Sequence, residues 1–240
     1  MTKPADTATP HGGLWRPGLT PVALNLVVAV YLLASCNASY WGRLVEIFEG
    51  RLLAQVTFAG AVLALMMLVI SALAVRWLQK PVLILMVIIA AVASFYTDRL
   101  GVLIDREMIQ NAVTTTVNES KHLITPDLAL HVALRAVPAV LFILWVRVRR
   151  RGLVGAGLVW AGMVAGSFAV MFGLLYTDVK GFSTVLRGRK DLVGSLQPLA
   201  PMAGALRYAK MQFKAADIVA APLAATRSRG RGWRRWINRC

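Results

Sequence analysis

Apolar residues in this chain gather into long runs broken by short polar stretches. A bilayer-crossing helix needs about 20 mainly apolar residues. Five runs meet that length or approach it, at residues 20–40, 52–75, 81–96, 128–146 and 153–176, the third being short. The pattern predicts an all-α fold, a polytopic bundle of five transmembrane helices. The first run is too long for a cleavable signal peptide and follows a polar stretch of about 19 residues, so it reads as an uncleaved first span.

Composition agrees. Hydrophobic residues make up 58% of the 240 residues and charged ones 16%, whereas a soluble domain is about a quarter charged and just under half apolar. The balance of 27 Lys and Arg against 11 Asp and Glu leaves a net charge of +16, and its placement gives an orientation. Eight basic residues (Lys3, Arg16, Arg76, Lys80, Arg147, Arg149, Arg150 and Arg151) fall in the tail and turns of one side. Five (Arg43, Arg51, Arg99, Arg106 and Lys121) fall on the other, among six carboxylates. Because short cytoplasmic loops carry the excess of Lys and Arg, the N-terminus is expected in the cytoplasm. With five spans, everything after Tyr176 is then expected outside, in the periplasm of a Gram-negative host.

The most informative polar stretch lies between the third and fourth runs, DREMIQNAVTTTVNESK from Asp105 to Lys121. Asn111, Thr115 and Glu119 recur at i, i+4 and i+8, so a helix stacks them on one face, while Ile109, Val113 and Val117 fall largely on another. An amphipathic helix at the membrane surface follows, and its polar stripe has two readings. One is a solvated face. The other is a headgroup site in which Glu119 takes an ammonium and Asn111 and Thr115 hydrogen-bond phosphate or ester oxygens.

The fourth run adds Asp127, His131 and Arg135 at the same spacing. Ionisable residues inside a membrane usually face the bundle interior or a wet cavity. Arg135 lies about 12 Å deeper than Asp127 at 1.5 Å per residue. Two roles stand open: anchors for neighbouring polar groups, or an arginine that helps to hold a lipid phosphate. Pro138 is expected to kink this helix. In the fifth run Gly157, Ala161, Gly162, Ala165 and Gly166 permit close helix approach, read as packing within the bundle ahead of dimerisation. Cys36 and Cys240, with His11, His122 and His131, form no metal-binding or disulfide pattern, so no metal site is expected.

These residues carry a family resemblance. The stretch Asp105–Glu119, with MIQN at Met108–Asn111 followed by Thr115 and Glu119, resembles a signature in the membrane domain of bacterial lipid A phosphoethanolamine transferases. Asn37, in CNASYWGRL, resembles the Asn that the family carries late in its first span. YTDVKGFSTVLRGRKDL, Tyr176 to Leu192, resembles the segment leaving the fifth span, followed by Pro198 and an amphipathic helix ending near RYAKMQF. The resemblance covers roughly residues 14–222. It implies a multi-pass domain of the bacterial inner membrane that holds phosphatidylethanolamine, with Asn111, Thr115 and Glu119 at the donor headgroup. Asn37 joins Asp127, His131 and Arg135, the last three read from their spacing, as candidate accessory lipid-binding or structural polar residues. It also implies a zinc-dependent, alkaline-phosphatase-like periplasmic domain that passes phosphoethanolamine to lipid A. The chain stops before that domain, so no cofactor is expected in it and transfer is not expected from it alone.

The expected organisation is a cytoplasmic tail at 1–19, a membrane domain at 20–176, an interfacial connector at 177–225 and an Arg- and Trp-rich tail at 226–240. The connector is expected to place a helix after Pro201, with Met202, Leu206, Met211 and Phe213 beside Arg207, Lys210 and Lys214, in the membrane interface. Thirteen of the 27 basic residues follow Tyr176, and six of them sit in the last fifteen positions. That last segment reads as an anionic-membrane patch, or as a truncated or out-of-frame end of a longer gene. Nucleic acid is not an expected partner at a periplasmic location. Three functions remain: the donor-binding membrane domain of a transferase, a non-enzymatic lipid-binding or regulatory membrane protein, and a small transporter. The transporter ranks last because the five runs show no internal repeat.

Overall fold

The computed structural model describes residues 17–75, 77–114, 125–149 and 152–220. The described residues fold into helices α1 (Pro21–Ser35), α2 (Ala38–Ile47), α3 (Leu52–Leu73), α4 (Gln79–Leu100), α5 (Arg106–Thr114), α6 (Pro126–Trp145), α7 (Leu153–Tyr176), α8 (Val179–Gly188), α9 (Lys190–Gly194) and α10 (Leu199–Ala220). Two short strands, β1 (Gly18–Leu19) and β2 (Arg147–Val148), pair in parallel. The architecture is an all-α bundle. By length and composition α3, α4, α6 and α7 are each able to cross a membrane, and α1 with α2 forms a fifth candidate bent by 74°.

That bend departs from the single first helix expected over residues 20–40. The cause is Asn37, whose side-chain amide donates to the Leu32 carbonyl at 2.9 Å and caps α1 from beyond its end. A short amide that satisfies nearby backbone offers the chain an alternative to continuing the helix. α4 is longer than its apolar run, because four residues beyond Tyr96 remain helical. Gly101 then stops it with a left-handed φ of 67°, a conformation that glycine adopts without a Cβ clash. Asp98 and Arg99 are therefore helical residues rather than loop charges. α6 starts where the Thr125 hydroxyl accepts from the Leu128 N–H at 3.2 Å, with Pro126 in the first turn, and it continues through Pro138.

α7 lies along α3, α6 along α4, and α1 packs against α3 while also touching α4 and α6. The core is built from α1, α2, α3, α4 and α6, with Leu24, Leu32, Met66, Ile70, Leu83, Met86 and Ile143 fully or almost fully buried. α7 buries no residue completely. Its small residues do not form the close helix contact expected of them: a Cβ at Gly157, Gly162 or Gly166 would meet nothing within 4 Å. The close approach falls instead at Gly60 of α3, where an added Cβ would lie 3.0 Å from Leu174 of α7.

The short helices gather at the α5 end of the bundle. Phe182 of α8 packs on Phe48 and Phe58 with ring centroids 5.9 and 5.3 Å away. Arg51 meets Asp178 at 2.6 Å, and Arg43 reaches the Asp191 carbonyl at 2.9 Å. The Gly181 N–H and the Arg51 guanidinium hold the Asp178 carboxyl below the usual carboxylate range. At the opposite end Gln79 donates to the Pro21 carbonyl, Lys80 donates to the Leu144 and Val146 carbonyls, and β1 pairs with β2. The segment entering α1, the α3–α4 turn and the α6–α7 turn thus share one end.

Candidate functional site

Polar residues at the α5 end form one connected seam through otherwise apolar helices. Arg135 on α6 donates to Asp98 Oδ2 at 3.3 Å and to Ser94 Oγ at 3.4 Å, both on α4. Asp98 Oδ1 accepts from the Ser39 N–H at 3.1 Å and from its hydroxyl at 2.7 Å, which ties in α2. Tyr31 of α1 donates to the Arg135 carbonyl at 2.6 Å. Ser94 Oγ donates to the Ala91 carbonyl and lies 3.0 Å from His131 Nε2. Ser94 Oγ accepts from Arg135, and the imidazole tautomer sets the direction of its bond with His131. Phe95 stacks edge-on against the His131 ring with centroids 5.4 Å apart.

This arrangement revises the trio read from sequence. His131 and Arg135 do share a network, but their bridge is Ser94 and the carboxylate is Asp98. Asp127 stays exposed in the first turn of α6, and among the described residues it forms no ion pair. The Asp98 and Arg135 side chains keep 14% and 28% of their surface accessible. Their charges neutralise each other at the bundle edge instead of remaining separately desolvated.

Asn37 anchors a second set of contacts. Its Nδ2 donates to the Gln197 carbonyl at 3.0 Å, and its Oδ1 accepts from the Gln197 N–H at 2.7 Å. Gln197 Nε2 in turn donates to Thr97 Oγ1 at 3.1 Å, and Thr97 donates to the Val102 carbonyl. Asn37, Thr97 and Gln197 are all buried. Their amides and hydroxyl join the break in the first span, the end of α4 and the start of α10.

α10 in turn seats α5. Gly204 is buried where the two helices meet, and a Cβ there would fall 2.9 Å from Ile109 Cδ1 and 3.1 Å from the Asp105 carbonyl carbon. Asp105 Oδ1 accepts the Met108 N–H at 3.0 Å and starts α5. In the described part of this helix Ile109 is half-buried at Gly204, whereas Val113, expected on the same apolar side, is 64% exposed and Asn111 is exposed too. Thr115 and Glu119, the other two residues of the stripe, lie outside the described residues.

Sequence reasoning missed Asp98, Ser94, Thr97, Gln197 and Gly204. A signal existed for the first pair, because Ser94 and Asp98 stand at i and i+4 at the end of an apolar run. Among the described residues, no group of three or more His, Cys, Asp or Glu side chains is placed to hold a metal ion.

The family model for phosphoethanolamine transferase EptA/EptB matches residues 62–213. Phosphatidylethanolamine transferase Mcr-2 of Escherichia coli is 28% identical over 218 residues, which cover 87% of this chain and 39% of that protein. Phosphoethanolamine transferase EptA of Escherichia coli strain K12 is 26% identical over 196 residues, covering 77% and 35%. The structure of the integral membrane protein lipooligosaccharide phosphoethanolamine transferase A (EptA) from Neisseria meningitidis superposes with a TM-score of 0.75 at 22% identity, over 82% of this chain and 38% of that one. The last likeness shows a common fold, and the chain spans under two fifths of the length of these relatives. It is a membrane protein, and it belongs to the phosphoethanolamine transferase EptA/EptB family through the membrane domain of that family.

Proposed function

We propose that the chain binds phosphatidylethanolamine as the donor for phosphoethanolamine transfer to lipid A, and that by itself it completes no transfer. The observation that carries this reading is the seating of α5: Ile109 packs at Gly204 and leaves Asn111 exposed on the polar side. On this reading Glu119 receives the donor ammonium, Asn111 and Thr115 hydrogen-bond its phosphate or ester oxygens, and Arg135 is the accessory cation at the bundle edge. Asn37, His131 and Asp98 are positioning residues, while Asp127 marks the surface end of α6. The chain needs no cofactor for binding. Its location is the bacterial inner membrane, with β1 and the α3–α4 and α6–α7 turns on the cytoplasmic side and α5 and α8–α10 on the periplasmic side. The clustering of the basic turns at one end supports that orientation.

Two measurements test the proposal. Purified chain titrated with phosphatidylethanolamine in detergent gives an affinity, and Glu119→Ala is expected to weaken it about tenfold, near 1.4 kcal/mol. Unchanged affinity contradicts the headgroup assignment. Mass spectrometry of lipid A from cells expressing this chain alone is expected to show no added phosphoethanolamine, and an adduct contradicts the second half of the proposal.

A further inference from the structure

A cavity of about 360 Å³ opens at the end of the bundle opposite α5, lined by Trp77, Gln79, Lys80, Arg147, Trp160 and Met163 among others. The length of α4, about 33 Å at 1.5 Å per residue, separates the two ends. Among the described residues, the lining carries two cations and no carboxylate. Lys80 is fixed by its bonds to the Leu144 and Val146 carbonyls at 3.2 and 2.7 Å, and Trp160 by its Nε1 bond to the Ser71 carbonyl at 2.8 Å. Trp77 is 77% exposed beside them. Tryptophan with Lys or Arg at one end of a helix bundle is the composition of a membrane–water boundary that receives anionic headgroups.

This cavity does not end at the boundary. It shares Val159 and Met163 with a second, almost wholly apolar groove of about 560 Å³ between α1, α3 and α7. The groove passes Gly60 of α3 and Gly162 and Gly166 of α7, the last two with nothing within 4 Å of where a Cβ would lie. Val159 to Val170 along its wall covers about 16 Å, the depth of one leaflet of a hydrocarbon core about 30 Å thick. A cationic mouth continuous with an apolar trough one leaflet deep has the shape and charge of a phospholipid.

We propose that this head-and-groove cavity holds one anionic phospholipid of the leaflet at that end, with its phosphate at Arg147 and Lys80 and one acyl chain along Gly162 and Gly166. The two cations of the described lining, with no carboxylate among those residues, suit a headgroup of net negative charge, so the site favours a phosphatidylglycerol-type headgroup. It stands apart from the donor site in place and in chemistry, and its test does not depend on the donor reading.

The experiment is native mass spectrometry of the purified chain, titrated with dioleoyl phosphatidylglycerol and, separately, with dioleoyl phosphatidylcholine. At least tenfold preference for phosphatidylglycerol is expected. Arg147→Gln removes the charge while its backbone N–H keeps the bond to the Pro17 carbonyl. Gly162→Leu fills the groove, and its new side chain meets no existing atom near Cβ. Each is expected to weaken phosphatidylglycerol binding about tenfold, whereas Arg187→Ala, on exposed α8 surface at the far end, is expected to leave it unchanged. Equal affinity for the two lipids, unchanged binding in either cavity variant, or an equal loss in Arg187→Ala overturns the proposal.

Discussion

Asn37 and Gln197, 160 positions apart, exchange two hydrogen bonds through one side-chain amide and one backbone peptide, at 3.0 and 2.7 Å. The pair holds the break in the first span against the start of α10, and α10 seats α5. Asn37→Ala leaves the buried Gln197 N–H and carbonyl unpaired, while the Leu32 carbonyl keeps its bond from the Cys36 N–H, so a loss of about 3 kcal/mol is expected. Asn37→Asp keeps the acceptor, loses both donations and buries a charge, so it is expected to be no milder. Denaturant titration in detergent gives the size. Hydrogen exchange gives the place, with faster exchange expected at 195–205 and little change on α7. Uniform exchange changes along the whole chain would contradict a local clamp.

The Asp98–Arg135 pair spans α4 and α6 at 3.3 Å. Removing one partner leaves the other charge half-buried, and Asp98→Ala is expected to cost on the order of 2 kcal/mol, less than for a fully buried pair. Asp98→Asn retains an acceptor for Ser39 and is expected to fall between wild type and Ala. The Asp98→Ala/Arg135→Ala double variant is expected to be more stable than the sum of the single losses. Additive losses in a thermal melt would show that the two side chains do not interact.

Gly204 is the contact on which the position of α5 depends. Gly204→Val places side-chain atoms against Ile109 and the Asp105 backbone and is expected to cost about 1–3 kcal/mol. Its sharper signature is separation of α5 from α10. Faster hydrogen exchange at residues 106–114 is expected in Gly204→Val than in wild type, with exchange on α3 unchanged. Equal exchange on α5 in both would place it independently of this glycine.

The helical bundle was legible in the sequence because each apolar run is long and its composition differs sharply from the turns. What sequence could not supply was the partner of each polar residue. Asp98 looked like a loop charge because hydropathy falls after Tyr96, yet backbone hydrogen bonding carries α4 to Leu100. Asn37 stood out, but Gln197 did not, since one of a long connector's amides has no local periodicity to mark it. The contrast between Ile109 and Asn111 on α5 was visible, whereas the surface that seats the helix is a single glycine on α10. The small residues of α7 suggested helix packing, and spacing alone could not show that they face an open groove.

Asp178 gives a pH dependence. Its native carboxyl titrates below the usual value because Gly181 donates to it and Arg51 pairs with it. A group lowered in the native state contributes stability that is fully present above its unfolded pKa of about 4 and is lost as pH falls through the lower native value. Exchange at the Gly181 amide is the local readout: protection, corrected for intrinsic rates, is expected to hold from pH 7 to about pH 4 and to decline below it. Arg51→Ala is expected to move the decline to higher pH. A decline at the same pH in both proteins would remove Arg51 as a cause.

The central claim is recognition of an ethanolamine headgroup at the α5 stripe, and its most direct measurement compares phosphatidylethanolamine with phosphatidylcholine on the purified chain. The two share phosphate and acyl chains and differ in the N–H donors that Glu119 is proposed to accept. The account predicts at least tenfold tighter binding of phosphatidylethanolamine, reduced toward the phosphatidylcholine value by Glu119→Ala, whereas Asn111→Ala weakens both lipids alike through the phosphate they share. Equal binding of the two lipids, or a preference indifferent to Glu119→Ala, would contradict it.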